Sequence, residues 1–262
     1  MKNNKYLILR RIIQIGILFL FFSGANFGIN ILKGNLSTAI VLDKFHLSDP
    51  YAVLQMLFTG YIPTVEIITG AVIILVFYSL LGGRIFCSWV CPLNIITDFA
   101  SYVRKKIGIK PALKIKTVSR NIRYYVVILG LLLSFITGIA SFELINPISI
   151  FFRGLIFGSI FSLSAVLIIF LFDLFIVEHG WCGHICPVGA VYSVTGKFRL
   201  LNIYHTYENC TLCMKCKRVC PEIQVLEIIG KETGKIKSSE CTDCGRCIDV
   251  CDDNALKFKL KM

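Results

Sequence analysis

Cys210-Thr-Leu-Cys213-Met-Lys-Cys216-Lys-Arg-Val-Cys220-Pro221 and Cys241-Thr-Asp-Cys244-Gly-Arg-Cys247-Ile-Asp-Val-Cys251-Asp252 are two copies of one spacing, and together they hold eight of the chain's twelve cysteines. C-x2-C-x2-C-x3-C is the ligand spacing of bacterial proteins that carry two 4Fe-4S clusters. Three thiolates from one tight loop grip three iron corners of a cube, and the fourth comes from elsewhere. In the two-cluster arrangement the last cysteine of each run serves the other cube. Cys210, Cys213, Cys216 and Cys251 are therefore assigned to one cluster, and Cys241, Cys244, Cys247 and Cys220 to the other. Structural zinc needs only four ligands per site and no crossed fourth cysteine, and disulfides need an oxidising compartment. The one departure from the pattern is Asp252, where the second run would usually carry proline; proline is no ligand, so the departure concerns the local turn.

The rest of the chain points to a membrane. Of 262 residues, 55% are hydrophobic, with a mean hydropathy of +0.72, too apolar for an ordinary soluble protein. The net charge of +12 is not a nucleic-acid signature, because the basic residues cluster at the ends of apolar runs, where they set orientation, and no basic stripe interleaved with aromatics appears.

Lys2, Lys5, Arg10 and Arg11 precede an apolar run from Ile12 to about Leu32, which reads as an uncleaved first span entering from the cytoplasm. Residues 33–60 read as a loop with an amphipathic helix around Tyr51 to Phe58. A second span follows from about Tyr61 to Gly82. Between Arg84 and Arg123 nine basic residues (Arg84, Arg104, Lys105, Lys106, Lys110, Lys114, Lys116, Arg120 and Arg123) face one acid, Asp98, which makes this a cytoplasmic loop. Spans from Tyr124 to Phe142 and from Leu155 to Val177 complete four, so both termini are expected on the cytoplasmic side. The hydropathy falls from His179 onward. The expected architecture is an all-α four-helix membrane bundle (residues 1–180, with a basic cytoplasmic loop at 84–123) followed by a C-terminal α+β two-cluster ferredoxin domain (181–262). A hairpin is expected where Lys231-Glu-Thr-Gly234 separates Val225-Leu-Glu-Ile-Ile from the second cysteine run.

The remaining four cysteines form a second repeat: Phe86-Cys87-Ser-Trp89-Val-Cys91-Pro92 and Trp181-Cys182-Gly-His184-Ile-Cys186-Pro187. Each is C-x3-C-P just after an even-numbered span, with tryptophan beside it. Cysteines at i and i+4 on a helix can be small packing residues. Two matching copies at equivalent positions point either to one shared metal site, a third iron–sulfur centre, or to redox thiols near the membrane surface. Neither motif is C-x-x-C-H, which excludes a c-type haem attachment. His184 is a further candidate ligand or proton carrier, or simply an interfacial polar residue.

On these motifs, together with Gly83-Arg84-Ile-Phe-Cys87-Ser-Trp89-Val-Cys91-Pro92-Leu-Asn94 and Asn146-Pro147-Ile-Ser149, the chain resembles the NapH type of ferredoxin-like membrane protein over nearly its whole length. The membrane ferredoxins of nitrous oxide reduction, methylamine oxidation and copper-handling assembly share the cysteine motifs. Those serving nitrous oxide reduction or oxidase assembly are typically longer, and this chain has no room for their extra periplasmic domain. The resemblance implies a multi-pass protein of the bacterial inner membrane. Membrane quinol is its substrate, and electrons pass through two 4Fe-4S clusters to a periplasmic iron–sulfur partner resembling NapG and on to the nitrate reductase system. The rival implication is a membrane ferredoxin that matures a respiratory metalloenzyme by reducing a metal or thiol. For quinol or proton handling, ionisable groups in or beside spans are the natural candidates: Glu66 and Asp173 first, then Glu143, Arg153 and His46 at the outer surface. Asn146 is a further polar candidate for a quinone cleft.

Overall fold

The computed structural model describes residues 4–28, 31–109, 112, 119–158 and 160–260. Lys2, Lys110, Lys114 and Lys116, which entered the charge argument, lie outside the described residues. The contacts divide the chain into two compact units that do not follow a single cut of the sequence. One comprises Met1–Gln14, Phe77–Val90 and Tyr192–Met262, and the other Ile15–Val76 and Cys91–Val191.

Helix α1 (Lys5–Asn26, 22 residues) contributes to both units and is the one described helix long and apolar enough to cross a membrane. An antiparallel meander follows, β1 (Leu32–Gly34), β2 (Thr38–Val41) and β3 (Phe45–Ser48), then α2 (Pro50–Phe58). The meander occupies part of the segment expected to be loop. Its strands are three or four residues long, too short for a period-2 pattern to declare itself. Helix α3 is Val65–Leu81, α4 the short Ile85–Trp89, and α5 the amphipathic Leu93–Ile107. Helix α6 (Ile122–Thr137) ends where the expected third span would have continued, because Gly138 turns left-handed (φ 68°) and its amide bonds back to Ser134 O. The short α7 (Ser141–Ile145) and α8 (Pro147–Phe157) come next. The expected fourth span is broken at Gly158 (φ 65°), so its first residues belong to α8 and the apolar helix α9 is Ile160–Phe175.

At 1.5 Å per residue the 16 or 17 residues of α3, α6 and α9 reach about 24–26 Å, short of a hydrocarbon layer of about 30 Å. Their polarity is nevertheless inside out. On α6, Tyr125, Ile128, Leu129, Leu132 and Ile136 are exposed, whereas Arg123, Gly130 and Ser134 are buried. Exposed stripes at the same three- and four-residue spacing run along α1 (Ile8, Ile12, Ile15, Phe19), α3 (Val72, Ile73, Val76, Leu80) and α9 (Leu167, Ile168, Leu171, Phe175). Apolar surface this extensive does not face water in a monomeric soluble protein.

Within the second unit, α5 is held on α9 by Arg104, whose Nε donates to Leu174 O (2.7 Å) and whose Nη2 donates to Asp173 O. Phe99 stacks on Phe170. Tyr51 of α2 lies over Gly130 of α6 and donates to Val127 O.

The first unit contains the cysteine runs. After a π-helical turn at Trp181–Ile185 and α10 (Pro187–Thr195), β4 (Leu201–His205) lies at the centre of a second antiparallel sheet, between β5 (Gly234–Lys235) and β6 (Leu256–Leu260). Helices α11 (Lys215–Val219) and α12 (Arg246–Asp249) follow the two cysteine loops. The expected hairpin is absent: β5 pairs with β4, and the segment before it is helical rather than extended. Val225, Leu226 and Ile229 are the buried members of that run, a helical spacing and not an alternating one. Three of the nine residues of this unit's core are cysteines, Cys216, Cys241 and Cys247. The apolar core is too small to stabilise such a fold alone, and bound metal clusters are the usual supplement.

Candidate functional site

The two cysteine runs fold into loops of matching backbone. In the first, Leu212 and Met214 flank Cys213 with φ of 57° and 55°, and in the second, Asp243 and Gly245 flank Cys244 with φ of 46° and 73°. Two left-handed residues around the central cysteine curl each loop into a cradle. Three of these four positions are not glycine, although left-handed backbone costs an ordinary residue about 1–2 kcal/mol, so an interaction elsewhere must hold the shape. The fourth must be glycine, since a Cβ on Gly245 would stand 2.6 Å from Tyr6 Cγ.

Cys210, Cys213, Cys216 and Cys251 line one cavity together with Met214 and Ile229. The cysteines that act electrostatically on Cys216 are Cys251, Cys210 and Cys213, and those that act on Cys247 are Cys244, Cys241, Cys220 and Cys216. None of the twelve cysteines is in a disulfide. Burial pushes the Cys216 thiol up and the Cys241 and Cys247 thiols well above their ordinary value, so these sulfurs are neutral as bare thiols and need a positive partner to become thiolates. Iron would supply that charge, and an all-sulfur donor set in two matching runs of four cysteines fits 4Fe-4S clusters. Among the described residues no three Cys, His, Asp or Glu side chains converge on a point that would hold a single ion.

Asp252, the residue in place of proline, has a visible partner: Lys215 Nζ donates to its carboxylate and holds it below the usual range. This exposed pair links the first loop's helix to the end of the second run.

The first C-x3-C-P segment packs on the second cysteine loop. Arg84, fully buried, places Nη1 3.0 Å from Glu222 Oε1, 3.0 Å from Glu240 Oε2 and 3.1 Å from Glu240 O. Ser88 Oγ donates to Thr242 O (2.7 Å) and Trp89 Nε1 to Asp243 O (3.0 Å). Gln14 Nε2 donates to Ser88 O from α1. The start of α1 is itself capped in trans, its Tyr6 and Leu7 amides donating to the Asp249 carboxylate of α12. Gly83 has φ 59°, and a Cβ there would meet Gly196 Cα at 2.4 Å.

The two C-x3-C-P copies differ locally. Cys87 lies in the α-helical turn of α4, whereas Cys182 lies in a π turn closed by Cys186 N to Trp181 O (2.9 Å). In both, proline follows the second cysteine and a new helix begins, as expected because the residue before proline avoids helical ψ. Cys91 is buried, and Cys87, Cys182 and Cys186 are half-buried.

Family comparisons agree with both repeats. A family described as a 4Fe-4S binding domain matches twice, at residues 64–110 and 155–203, the segments holding the C-x3-C-P motifs. A 4Fe-4S dicluster domain matches residues 202–252. The ferredoxin-type protein NapH of Haemophilus influenzae is 44% identical over 98% of this chain and 91% of its own length. The chain belongs to the NapH family of ferredoxin-type proteins. NapH of Escherichia coli is 43% identical, over 97% and 88% of the two chains. The methylamine utilization ferredoxin-type protein MauN of Methylorubrum extorquens is 39% identical, over 100% and 91%. No solved structure matches this chain.

The acids singled out for quinol or proton work occupy different settings in this NapH-family chain. Glu66 begins α3 with a side chain 72% exposed, and His46 Nδ1 lies 3.2 Å from its Oε2. Asp173 is buried, and its Oδ1 accepts from the Trp181 amide (3.0 Å), which ties α9 to the second C-x3-C-P turn. A buried polar group that the sequence did not mark as a unit joins the meander to α7 and α8. Ser37 Oγ and Ser149 Oγ are 3.0 Å apart, Ser149 donates to Glu143 Oε1, and Asn146 Nδ2 donates to Glu143 Oε2 (3.0 Å).

Asp49, buried at the start of α2, completes this environment: burial first, then the Glu143 charge, raises its carboxyl to about 7. A carboxyl with a higher pKa folded than unfolded costs stability as pH rises from about 4 to about 7, and the cost is constant above. Asp49→Asn should therefore raise the thermal midpoint in detergent by an amount that grows between pH 4 and pH 7, equivalent at pH 8 to about 1–4 kcal/mol. A pH-independent shift, or a loss at pH 8, would show that Asp49 is ionised and well paired.

Proposed function

We propose that this chain is a multi-pass inner-membrane electron-transfer subunit with both termini cytoplasmic. It oxidises membrane quinol and delivers the electrons to a periplasmic iron–sulfur partner resembling NapG, for nitrate reduction. The observation that carries the reading is the joining of the second cysteine cradle to the first C-x3-C-P segment, which follows directly on the apolar, lipid-type helix α3. Two 4Fe-4S clusters, held by Cys210, Cys213, Cys216 and Cys251 and by Cys241, Cys244, Cys247 and Cys220, supply one-electron carriers when bound. The protein's part is to fix their separation, bury the second site and provide an exit for the two protons of quinol. Glu66, Asp173 and the Glu143 group are the residues proposed for that exit. The C-x3-C-P cysteines Cys87, Cys91, Cys182 and Cys186 are proposed as a third redox site, a cluster or paired thiols. Membrane insertion as four spans is supported by the exposed apolar stripes of α1, α3, α6 and α9.

The test is anaerobic purification in detergent, iron and sulfide analysis, and addition of a menaquinol analogue with EPR detection. Quinol-driven appearance of reduced-cluster signals is the expected result. Clusters that dithionite reduces and quinol does not would replace this reading with a maturation factor. Iron beyond that of two cubes would place a further cluster at the C-x3-C-P cysteines.

A further inference from the structure

The two cysteine loops share a backbone but not an environment. In the first, every residue from Tyr207 to Lys215 except Cys210 is exposed, Cys213 included; in the second, Cys241, Asp243, Cys244, Gly245 and Cys247 are all buried. Part of the cover over the second loop comes from the first C-x3-C-P segment. Ser88 and Trp89, which flank Cys87 in the first C-x3-C-P segment, donate to the carbonyls of Thr242 and Asp243 between Cys241 and Cys244. The two bonds hold those carbonyls against the C-x3-C-P segment, and no equivalent bond to the first loop occurs among the described residues.

The geometry assigns the two clusters an order: the one held by Cys241, Cys244, Cys247 and Cys220 receives electrons from the C-x3-C-P segment, and the one held by Cys210, Cys213, Cys216 and Cys251 is the port to a separate one-electron redox protein. This rests on the proposed function for the identity of the donor, quinol, but not for the asymmetry itself. When both clusters are bound, Cys241, Cys244, Cys247 and Cys220 would hold the carrier that accepts each electron, and Cys210, Cys213, Cys216 and Cys251 the exposed carrier that gives it up to an oxidised one-electron protein on the same, cytoplasmic side of the membrane. Quinol gives two electrons, which require two such transfers, and its two protons leave by the exit proposed for Glu66, Asp173 and the Glu143 group. Ser88 and Trp89 act as positioning residues, because hydrogen bonds near cluster sulfurs and exclusion of solvent are levers on cluster potential.

The experiment uses the intact, reduced holoprotein in detergent, with a dysprosium chelate as an aqueous relaxing agent and EPR power saturation as the readout. Cys251→Ala and Cys220→Ala assign the two signals. The expected result is strong relaxation of the first cluster's signal and little of the second's. In redox titrations, Ser88→Ala and Trp89→Phe are expected to shift the midpoint of the second cluster alone. Equal relaxation of both signals in the unmodified protein, or a variant shift confined to the first cluster, would overturn the order. Because neither readout involves quinol, failure of quinol to reduce the clusters would remove the proposed donor while leaving the order measurable.

Discussion

Cys251→Ala is expected to empty the cluster whose other three ligands come from the first run, although Cys251 itself closes the second. The variant should retain about half the iron and sulfide, as each run contributes three ligands to its own cube and one to the other. Cys220→Ala should empty the other site. Double variants make the test decisive. If the ligands are crossed, Cys251→Ala combined with Cys210→Ala loses no more iron than either single change, because both strike one cluster. Cys251→Ala combined with Cys241→Ala should lose nearly all of it. Uncrossed ligation reverses those two outcomes. The structural effect should also be large, because Cys216, Cys241 and Cys247 belong to the core under the β4 sheet, and a structural metal site can supply on the order of 10 kcal/mol of folding energy. A well-folded, iron-free double variant with an unchanged thermal midpoint would show that the apolar residues suffice after all.

The two cysteine runs and the C-x3-C-P repeat were legible because metal ligation imposes residue type and spacing locally, within a dozen residues. The apolar helices were legible for a similar reason, since a run of Ile, Leu and Phe exceeds anything a small soluble core can absorb. Their limits were not: Gly138 and Gly158 stop helices that hydropathy alone would have continued. The Val225 to Ile229 run shows the opposite failure. Its apolar residues suggested a strand, and tertiary burial at positions 225, 226 and 229 made it helical turns. Least legible were the long-range polar contacts. Nothing local in Gly83-Arg84 or Ser88-Trp89 reveals that they meet residues near positions 222 and 240 to 243. Such pairing depends on which surfaces the fold brings together, and in the sequence Arg84 reads only as one of the basic residues of the 84–123 loop.

Arg84→Met is expected to destabilise the second cluster site more than any other change away from the cysteines. The guanidinium touches Glu222, two residues after Cys220, and Glu240, immediately before Cys241, so a single cation joins the chain segments that bring those two ligands to one cube. Arg84 is fully buried, and the Glu222 side chain is 4% exposed, which leaves little solvent to compensate a lost charge. Removing one member of a buried ion pair typically costs 3–5 kcal/mol, about that figure being expected here, because the partner charge remains behind. Iron content and EPR should report the loss at the second site first, with the first cluster's signal retained. Arg84→Lys should recover only part, since the ammonium keeps the charge but not the position of the Nη1 that meets both carboxylates. The combination Arg84→Met, Glu222→Gln and Glu240→Gln separates charge from shape. If buried charge is the cause, the neutral triple variant regains much of the stability lost by Arg84→Met alone. If the triple variant is as poor as the single, the guanidinium's hydrogen bond to the Glu240 carbonyl and its packing beneath the loop are what hold Cys220 and Cys241 together.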